Sequence, residues 1–380
     1  MKKTTKKTTK KMLQKTMKKY LLTFVLLLAI IMQAMPAYAA SGMDNFKATA
    51  TYSATTYSDV KSNLWYAVPV KTCFEYKLMN GNGAGQFLPD GELSVAEAIV
   101  MACRVHQIYN TGENTLKNGS PWYQTYVDYA INNGIIKSAD FTDYNAKITR
   151  AQMSYIFANA IPEVELTAKN NITTLPDLNT SDKYASSIYK LYNAGVLSGA
   201  DAYGTFNPNS KIARREAAAI IARVAIPSQR LELILLEKHS NGILSISMPQ
   251  ASTYELQDGT HSYTAADSLT VATINNETQS SFSGLSITLL DVDYLSGILI
   301  DELKDSGITA SVQKSSTVSF GNVKAYKYEL AINNSGVNMT AYAYMFIDRS
   351  TLYEVNFVSV NTPLLKKMDS LFTVNGNYSK

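Results

Sequence analysis

The chain has 380 residues, of which 46% are hydrophobic and 17% charged, so it can bury substantial cores and is not intrinsically disordered. Lysine and arginine number 35 against 31 acids, but nine of the lysines and none of the acids lie in residues 1–20. Without that segment 26 basic residues face 31 acidic ones, a net charge of −5. A nucleic-acid-binding function, which needs a basic patch on the folded part, therefore loses its main support.

Residues 1–39 have the three parts of a secretory signal peptide. A lysine-rich start is followed by an apolar run at 21–35 and by the small-residue motif Ala-Tyr-Ala at 37–39. The apolar run is shorter than the roughly 20 residues of a membrane span, which favours cleavage after Ala39 over an uncleaved anchor. We expect a secreted protein with no membrane span after cleavage, beginning with a linker at 40–54.

Three segments of similar pattern follow, at 55–110, 118–165 and 172–226. Each has an aromatic start, an apolar-periodic helix, a loop that contains phenylalanine, and a second helix. The aromatic starts are Trp65, Trp122 and Tyr184, and the loop phenylalanines are Phe87, Phe141 and Phe206. This pattern predicts an all-α repeat domain in which each repeat forms a helical hairpin.

The second helix of the first two repeats begins with a capping box, formed by Ser94 with Glu97 and by Thr149 with Gln152. The third copy keeps the glutamate but has Ala213 at the cap, so its helix start should be weaker by about 1 kcal/mol. The glycine-rich stretch at 80–86 is then a turn inside a repeat. It lacks the Gly-Lys-Ser/Thr ending of a phosphate loop and the alternating acids of a calcium loop, so we expect no metal site and no cofactor.

These three segments resemble S-layer homology domains. The resemblance rests on the Asp59-Val60 start, the tryptophans, the glycine-rich loop with Phe-x-Pro at 87–89 and 206–208, and the Ile-Thr-Arg-Ala helix start at 148–151. It covers about residues 55–226. It implies a pseudo-threefold helical bundle at the cell wall or S-layer that binds secondary cell-wall polysaccharide between repeats, with pyruvate ketals as the favoured ligand.

The resemblance also implies which residues bind the polysaccharide. Arg150 and Arg214 would clamp the ketal carboxylate, because a guanidinium fork matches a carboxylate and free amides at a helix start add positive partial charge. The other implied residues are Trp65, Trp122, Asp59, Asp177, Gln152 and Glu216. Val95 stands where the first repeat should carry its arginine, so we expect one or two competent grooves. Without the resemblance, the arginines would be read as solvated charges and the tryptophans as core.

Cys73 and Cys103 lie in the two helices of the first repeat. If those helices form one hairpin, a disulfide between them is possible. The alternative, which we favour, is two buried free thiols that behave as small hydrophobic side chains. Two cysteines are too few for the framework of a small disulfide-rich protein.

Residues 228–380 alternate between apolar and polar residues as strands do. We predict strands at 242–249, 269–274, 285–290, 323–332, 339–347 and 352–360, a main helix at 291–306 and a short closing helix at 363–371. This order predicts a separate α+β domain with an antiparallel sheet and one main helix, and it resembles a PsbP-like domain. Asp291 and Asp293 could bind a cation, but capping of the main helix explains them.

No catalytic set is recognisable in the sequence. The histidines, His106, His239 and His261, are scattered, and no residue stands in a nucleophile motif. We therefore expect not an enzyme but a wall-anchored protein whose α+β domain is a non-catalytic adaptor for another envelope protein or a small ligand. The alternatives are a wall-tethered hydrolase with an unrecognised active site in 228–380 and, less favoured, a structural S-layer subunit.

Overall fold

The computed structural model describes residues 42–380, and the signal peptide predicted at 1–39 lies outside the described residues. Helices occupy the first half and strands dominate the second. The helical half contains α1 (Ala67–Glu75), α2 (Val95–Thr111), α3 (Gln124–Asn132), α4 (Arg150–Ala158), α5 (Ala185–Asn193) and α6 (Arg214–Ala225). The coarse prediction of a helical part followed by an antiparallel β domain is confirmed.

The helices pack between repeats and not within them. The second helix of each repeat lies against the first helix of the next, α2 on α3 and α4 on α5, and α6 returns to α1 and closes the ring. The expectation that each repeat forms its own hairpin is therefore wrong. The loop inside each repeat makes backbone hydrogen bonds to a different repeat. These bonds hold the loop away from its own repeat and so separate the two helices that it connects.

Three backbone hydrogen bonds join the repeats in a closed ring. The amide of Leu93 donates to the carbonyl of Ile212 at 3.2 Å, Ile212 to Ile148 at 3.4 Å, and Ile148 to Leu93 at 3.0 Å. All three residues are fully buried, so these bonds satisfy backbone groups that water cannot reach. Each residue immediately precedes the N-cap of a second helix, so the ring gathers the starts of α2, α4 and α6 at one end of the domain.

The predicted linker at 40–54 is, from residue 42 onward, packed against the first repeat. Phe46 belongs to the helical core, and the amide of Thr49 donates to the carbonyl of Glu75 at the end of α1. The side-chain amide of Asn45 donates to the carbonyl of Tyr109 on α2. The segment therefore fastens α1 and α2 to one another from outside.

Cys73 and Cys103 are buried free thiols. Because α1 and α2 pack against different neighbours, the two thiols contact different helices. Cys73 donates to the carbonyl of Ala218 on α6, and Cys103 donates to the carbonyl of Tyr126 on α3. The structure thus agrees with the free-thiol alternative and not with the disulfide.

The second half is a three-layer domain. Its strands are β1 (Leu236–Ser240), β2 (Leu244–Pro249), β3 (Thr253–Gln257), β4 (Thr260–Thr264), β5 (Val271–Thr278), β6 (Thr309–Phe320), β7 (Val323–Asn334), β8 (Val337–Asp348), β9 (Thr351–Ser359), β10 (Thr373–Val374) and β11 (Asn377–Tyr378). The large antiparallel sheet has the order β3-β4-β5-β9-β8-β7-β6, and the small sheet has the order β1-β2-β10-β11. Helix α7 (Val292–Asp305) covers one face of the large sheet, while the small sheet and α8 (Thr362–Ser370) cover the other.

Both predicted helices of this domain are present at nearly the predicted bounds. Asp291 caps α7 by accepting from the amides of Asp293 and Tyr294, which is the capping role expected for it. The strand predicted at 285–290 is wrong, because this segment contains a 3-10 turn at Ile287–Leu289 that leads into the cap of α7. Six strands were not predicted from the sequence, namely β1, β3, β4, β6, β10 and β11.

Candidate functional site

The first of two related grooves, the Trp65 groove, is a cavity of about 430 Å³ to which all three repeats contribute. The first repeat supplies Trp65 and the second supplies Arg150. The third repeat supplies Glu216 and Arg223 from α6, together with the turn at 196–200. An exposed indole, three arginines (the third is Arg215 of α6) and a carboxylate therefore share one concave surface.

The second groove, the Trp122 groove, has a volume of about 210 Å³ and repeats this arrangement one repeat further along the chain. Trp122 comes from the second repeat, Arg214 from the third, and Glu97 and Arg104 from α2 of the first. Each groove thus combines a tryptophan, a helix-start arginine of the following repeat, and a glutamate and an arginine of the remaining one.

Both tryptophans are exposed at the groove rims. Trp65 is 60% exposed and Trp122 is 41% exposed. Each stands edge-on to the next tyrosine in sequence, with ring centroids 5.5 Å apart for Trp65 and Tyr66 and 5.6 Å apart for Trp122 and Tyr123. The reading of these tryptophans as core residues is excluded, and their indole faces are available for stacking.

Arg150 is held in place and electrically neutralised. Its Nε donates to the carbonyl of Phe206 at 2.7 Å, and its Nη1 forms an ion pair with Glu216 Oε1 at 2.7 Å. The guanidinium also lies 5.1 Å from the centre of the Phe206 ring. Since its side chain is only 11% exposed, an anionic ligand in the Trp65 groove competes with Glu216 for this charge.

Arg214 has the same support but no such neutralisation. Its Nε donates to the carbonyl of Phe87 at 2.8 Å, its Nη2 donates to the carbonyl of Asn80 at 2.7 Å, and the Phe87 ring lies 4.9 Å below it. Within residues 42–380 no carboxylate is within ion-pair distance of Arg214. Burial lowers its pKa, an effect opposed by Glu97 nearby. The Trp122 groove therefore presents an unpaired positive charge.

The amides at the starts of these helices are not free, contrary to expectation. The amide of Arg150 donates to the carbonyl of Ser210 and that of Ala151 to Pro208, both at 3.0 Å. In α6 the corresponding donors are Arg214 and Arg215, and the acceptors are Gly91 and Pro89. These amides join one repeat to the loop of another, so the positive potential of each groove comes from its guanidinium groups.

Asp59 and Asp177 hold the phenylalanine loops. Both carboxylate oxygens of Asp59 accept backbone amides, from Phe87 and Leu88 at 2.8 Å each. Asp177 does the same for Phe206 at 2.8 Å and for the following amide at 2.6 Å. Since Arg214 and Arg150 rest on these loops, the structure gives both aspartates a supporting position and not one in the lining of either groove.

The third interface between repeats lacks an arginine. Val95 occupies its position and is buried, and Gln152 uses its side-chain oxygen to cap α4 at the amide of Thr149, 2.9 Å away. Tyr184 stands in place of tryptophan and packs on Tyr155 with ring centroids 5.0 Å apart. A helix-start arginine is therefore present at two of the three interfaces.

The sequence analysis missed Arg104 and Arg223, which line the two grooves. Each follows the capping-box glutamate of its helix by seven residues, about two helical turns, and so lies on the same face. Arg223 donates to the carbonyl of Val196 at 3.1 Å, whereas Arg104 Nε is buried without a hydrogen-bond partner in the described structure. Burial lowers the pKa of both. The spacing Glu-x6-Arg, shared by α2 and α6, is the signal that could have identified them.

Neither a metal-binding cluster nor a membrane-spanning helix is found in residues 42–380. No group of three or more His, Cys, Asp or Glu side chains in residues 42–380 could hold a metal ion. None of the helices in this range combines the length and apolarity needed to cross a bilayer.

Comparison with known proteins identifies the helical repeats. The sequence model of the S-layer homology domain matches residues 56–99 and 174–218, which lie in the predicted first and third repeats. A curated relative, the Surface-layer 125 kDa protein of Lysinibacillus sphaericus, is 26% identical over 33% of this chain and 11% of that protein. The chain thus matches about a tenth of the relative's length. The predicted S-layer homology resemblance is confirmed for the first and third repeats, and the model match does not include the second.

Two solved structures are similar at low TM-score. One is the solution structure of cyanobacterial PsbP (CyanoP) from Synechocystis, with a TM-score of 0.32 and 11% identity, covering 38% of this chain and 95% of that one. The other is a crystal structure from Bacteroides thetaiotaomicron, with a TM-score of 0.25 and 14% identity, covering 36% and 48%.

Proposed function

We propose that this cell-surface protein is anchored non-covalently to the cell wall by secondary cell-wall polysaccharide bound in the Trp65 and Trp122 grooves. The surface location follows from the S-layer homology match and the surface-layer relative. The favoured ligand is an acidic sugar that carries a pyruvate ketal. The α+β domain is displayed as a non-catalytic binding or adaptor module for an envelope protein or a small ligand.

The observation that carries this proposal is the pairing of an unneutralised guanidinium with an exposed indole in the Trp122 groove. Arg214 offers an unpaired charge to a carboxylate, and charge-assisted hydrogen bonds of this kind are about twice as strong as neutral ones. Trp122 offers a flat apolar face to the sugar ring. Arg104 adds a second guanidinium to the groove, and its buried Nε has no hydrogen-bond partner among residues 42–380.

The remaining predicted residues fit this proposal as supports. Asp59 and Asp177 hold the loops on which the clamp arginines rest, and Glu216 sets the charge of Arg150. Gln152 caps α4 at the interface without an arginine. We infer a pseudo-threefold arrangement of the repeats, because the ring of backbone hydrogen bonds relates the three helix starts to one another in the same way.

The alternative of a tethered hydrolase receives no support from the main polar cluster of the α+β domain. Asp369 accepts from Lys327 Nζ at 2.6 Å and from the Tyr344 hydroxyl at 2.6 Å. Every charged group of this cluster is paired inside it, and the cluster fastens α8 to the large sheet. It therefore offers no free base or nucleophile.

The proposal is tested by sedimentation of the full chain with purified cell-wall sacculi. The double variant Arg150→Ala/Arg214→Ala is expected to lose most of its sedimentation, and removal of wall polysaccharide with hydrofluoric acid is expected to release the wild type. Because both arginines also support the fold, Trp65→Ala/Trp122→Ala serves as a second variant that alters only exposed side chains. Arg349→Ala, at an exposed turn, is the control. Full sedimentation of both double variants would contradict the proposal.

A further inference from the structure

The large sheet of the α+β domain extends beyond the small sheet that covers it. On the covered face, Ala272 and Ile274 of β5 are buried, and their cross-strand partners on β4 are Tyr263 and His261. The small sheet ends at β1, so β4 is only half-buried and β3 is exposed along its whole length. The uncovered part of this face is termed the shelf.

The shelf consists of Tyr254, Leu256, His261 and Tyr263, with His239 of β1 at its inner boundary. Tyr254 lies directly opposite Tyr263, and Leu256 lies opposite His261, so all four project from the same face of the β3–β4 hairpin. Tyr254 is 52% exposed and Leu256 is 57% exposed. A contiguous exposed apolar patch of this kind marks a binding surface more often than scattered single residues do.

The aromatic rings of the shelf form a continuous strip. The centroid distance is 4.7 Å from His239 to Tyr263, 5.1 Å from Tyr263 to Tyr254, and 6.0 Å from Tyr254 to His261. The interplanar angles are 41°, 42° and 29°, respectively. No pair in this series approaches a perpendicular arrangement, so the strip is shallow and lacks the upright walls that surround a cation in an aromatic cage. Its extent over several rings suits a ligand made of several linked rings.

Polar atoms border the strip without filling it. The Tyr254 hydroxyl and His261 Nδ1 share a hydrogen bond of 2.9 Å. His239 Nε2 is buried and has no hydrogen-bond partner among residues 42–380. This nitrogen is closed to solvent, so the polar groups of the shelf that a ligand can reach are the Tyr254 hydroxyl and the His261 ring.

The shelf offers no cation to an acidic ligand. Residues 253–264 include no lysine or arginine, and their two acids lie away from the shelf, Glu255 on the opposite face of the hairpin and Asp258 in its turn. An anionic sugar of the kind proposed for the grooves would find no partner for its charge here, whereas a neutral sugar needs none. Aromatic faces for the ring carbons, together with hydroxyl and imidazole groups for the sugar hydroxyls, match an uncharged polysaccharide.

We propose that the shelf is a second glycan-binding site, specific for a neutral polysaccharide chain that stacks along Tyr254 and Tyr263. It is independent of the two grooves and differs from them in the charge of its ligand. The protein would then contact two chemically distinct wall polymers, an acidic one through its repeats and a neutral one through its α+β domain.

Titration of the full chain with a neutral β-linked N-acetylglucosamine tetramer, followed by NMR of the histidine ring signals, tests this proposal. The signals of His239 and His261 are expected to shift saturably, and that of His106, in the helical domain, to stay in place. Tyr254→Ala should weaken binding about twofold to twelvefold, the range given by aromatic contacts of roughly 0.5–1.5 kcal/mol. Tyr378→Ala, which removes a tyrosine that is 57% exposed on β11, is the matched control and should bind as the wild type.

Three outcomes would contradict the proposal that the shelf binds a neutral polysaccharide. The first is no shift of His239 and His261, and the second is equal weakening by Tyr254→Ala and Tyr378→Ala. The third is a shift of the same signals by tetramethylammonium and not by the tetramer, which would indicate a cation site. The two tryptophans lie in the grooves, so a change in tryptophan emission without a histidine shift would place the tetramer there and contradict the proposal.

Discussion

Replacing Arg214 by alanine should weaken wall binding more than replacing Arg150. The Arg214 guanidinium donates to two backbone carbonyls and has no ion-pair partner among residues 42–380. A ligand carboxylate therefore gains a full charge-assisted interaction, worth about 1.5–3 kcal/mol. Its loss corresponds to an affinity lower by roughly tenfold to 150-fold in the Trp122 groove.

Arg150 contributes less binding free energy to a ligand, because it already forms an ion pair with Glu216 at 2.7 Å. Releasing or sharing that partner costs the ligand about 0.2–1 kcal/mol, the range for ion pairs that remain partly solvated. Glu216→Gln should remove this competition while keeping an oxygen to accept from the Ala213 amide, now 2.9 Å away. We expect this variant to bind acidic polysaccharide up to about fivefold more tightly through the Trp65 groove.

Calorimetry with purified wall polysaccharide measures these differences, and each variant is first checked for unchanged thermal unfolding. The two arginines make matched structural contacts, each donating Nε to a phenylalanine carbonyl and lying over that ring, so alanine variants lose similar support. Glu97→Gln is the matched control for Glu216→Gln, because Glu97 is the carboxylate of the Trp122 groove and forms no ion pair with Arg214. This variant should therefore not show the tighter binding expected of Glu216→Gln. Equal losses for Arg150→Ala and Arg214→Ala, or weaker binding by Glu216→Gln, would refute the reasoning.

Three further predictions concern stability and reactivity. Asp177→Asn leaves one oxygen for two amide donors and should lower the free energy of unfolding by about 1–3 kcal/mol in urea, whereas an unchanged midpoint would contradict its supporting role. Burial lowers the pKa of His106 below its usual value of about 6.5, so the unfolded chain binds the proton first. Stability should therefore fall as the pH drops below about 6.5, and His106→Gln should flatten that part of the profile. Burial raises the pKa of Cys73, and that of Cys103 to about 12, so both thiols should resist alkylation until the protein unfolds, as mass spectrometry would show.

The sequence predicts local structure in the repeats well, because the determinants are local. The predicted capping boxes of Ser94 with Glu97 and of Thr149 with Gln152 are present. Gly134 and Gly195 adopt the left-handed conformation at the ends of their helices, where glycine is favoured. Gly81 differs, since its φ is not positive. A Cβ there would lie 2.4 Å from the Tyr57 ring, so close packing requires the glycine.

The same sequence patterns did not predict which helices pack against one another across the repeats. An apolar stripe shows that a helix has a partner but not which helix it is, so the pairing of α6 with α1 could not be predicted. The same limit explains why the amide of Arg150 was expected to be free, when Ser210 of another repeat accepts from it. In the α+β domain, β6 was not predicted because eight of its twelve residues are Ser, Thr, Lys or Gln.

The composition of the grooves explains why three repeats accompany only two helix-start arginines in the groove linings, Arg150 and Arg214. The Trp122 groove takes its tryptophan from the second repeat, Arg214 from the third, and Glu97 with Arg104 from the first. The first repeat, which has Val95 in place of an arginine, therefore still supplies most of the lining of the Trp122 groove and the tryptophan of the Trp65 groove. Since each groove is built from all three repeats, loss of any one repeat removes parts of both. The three-repeat ring is thus the smallest unit of this chain that can form either groove.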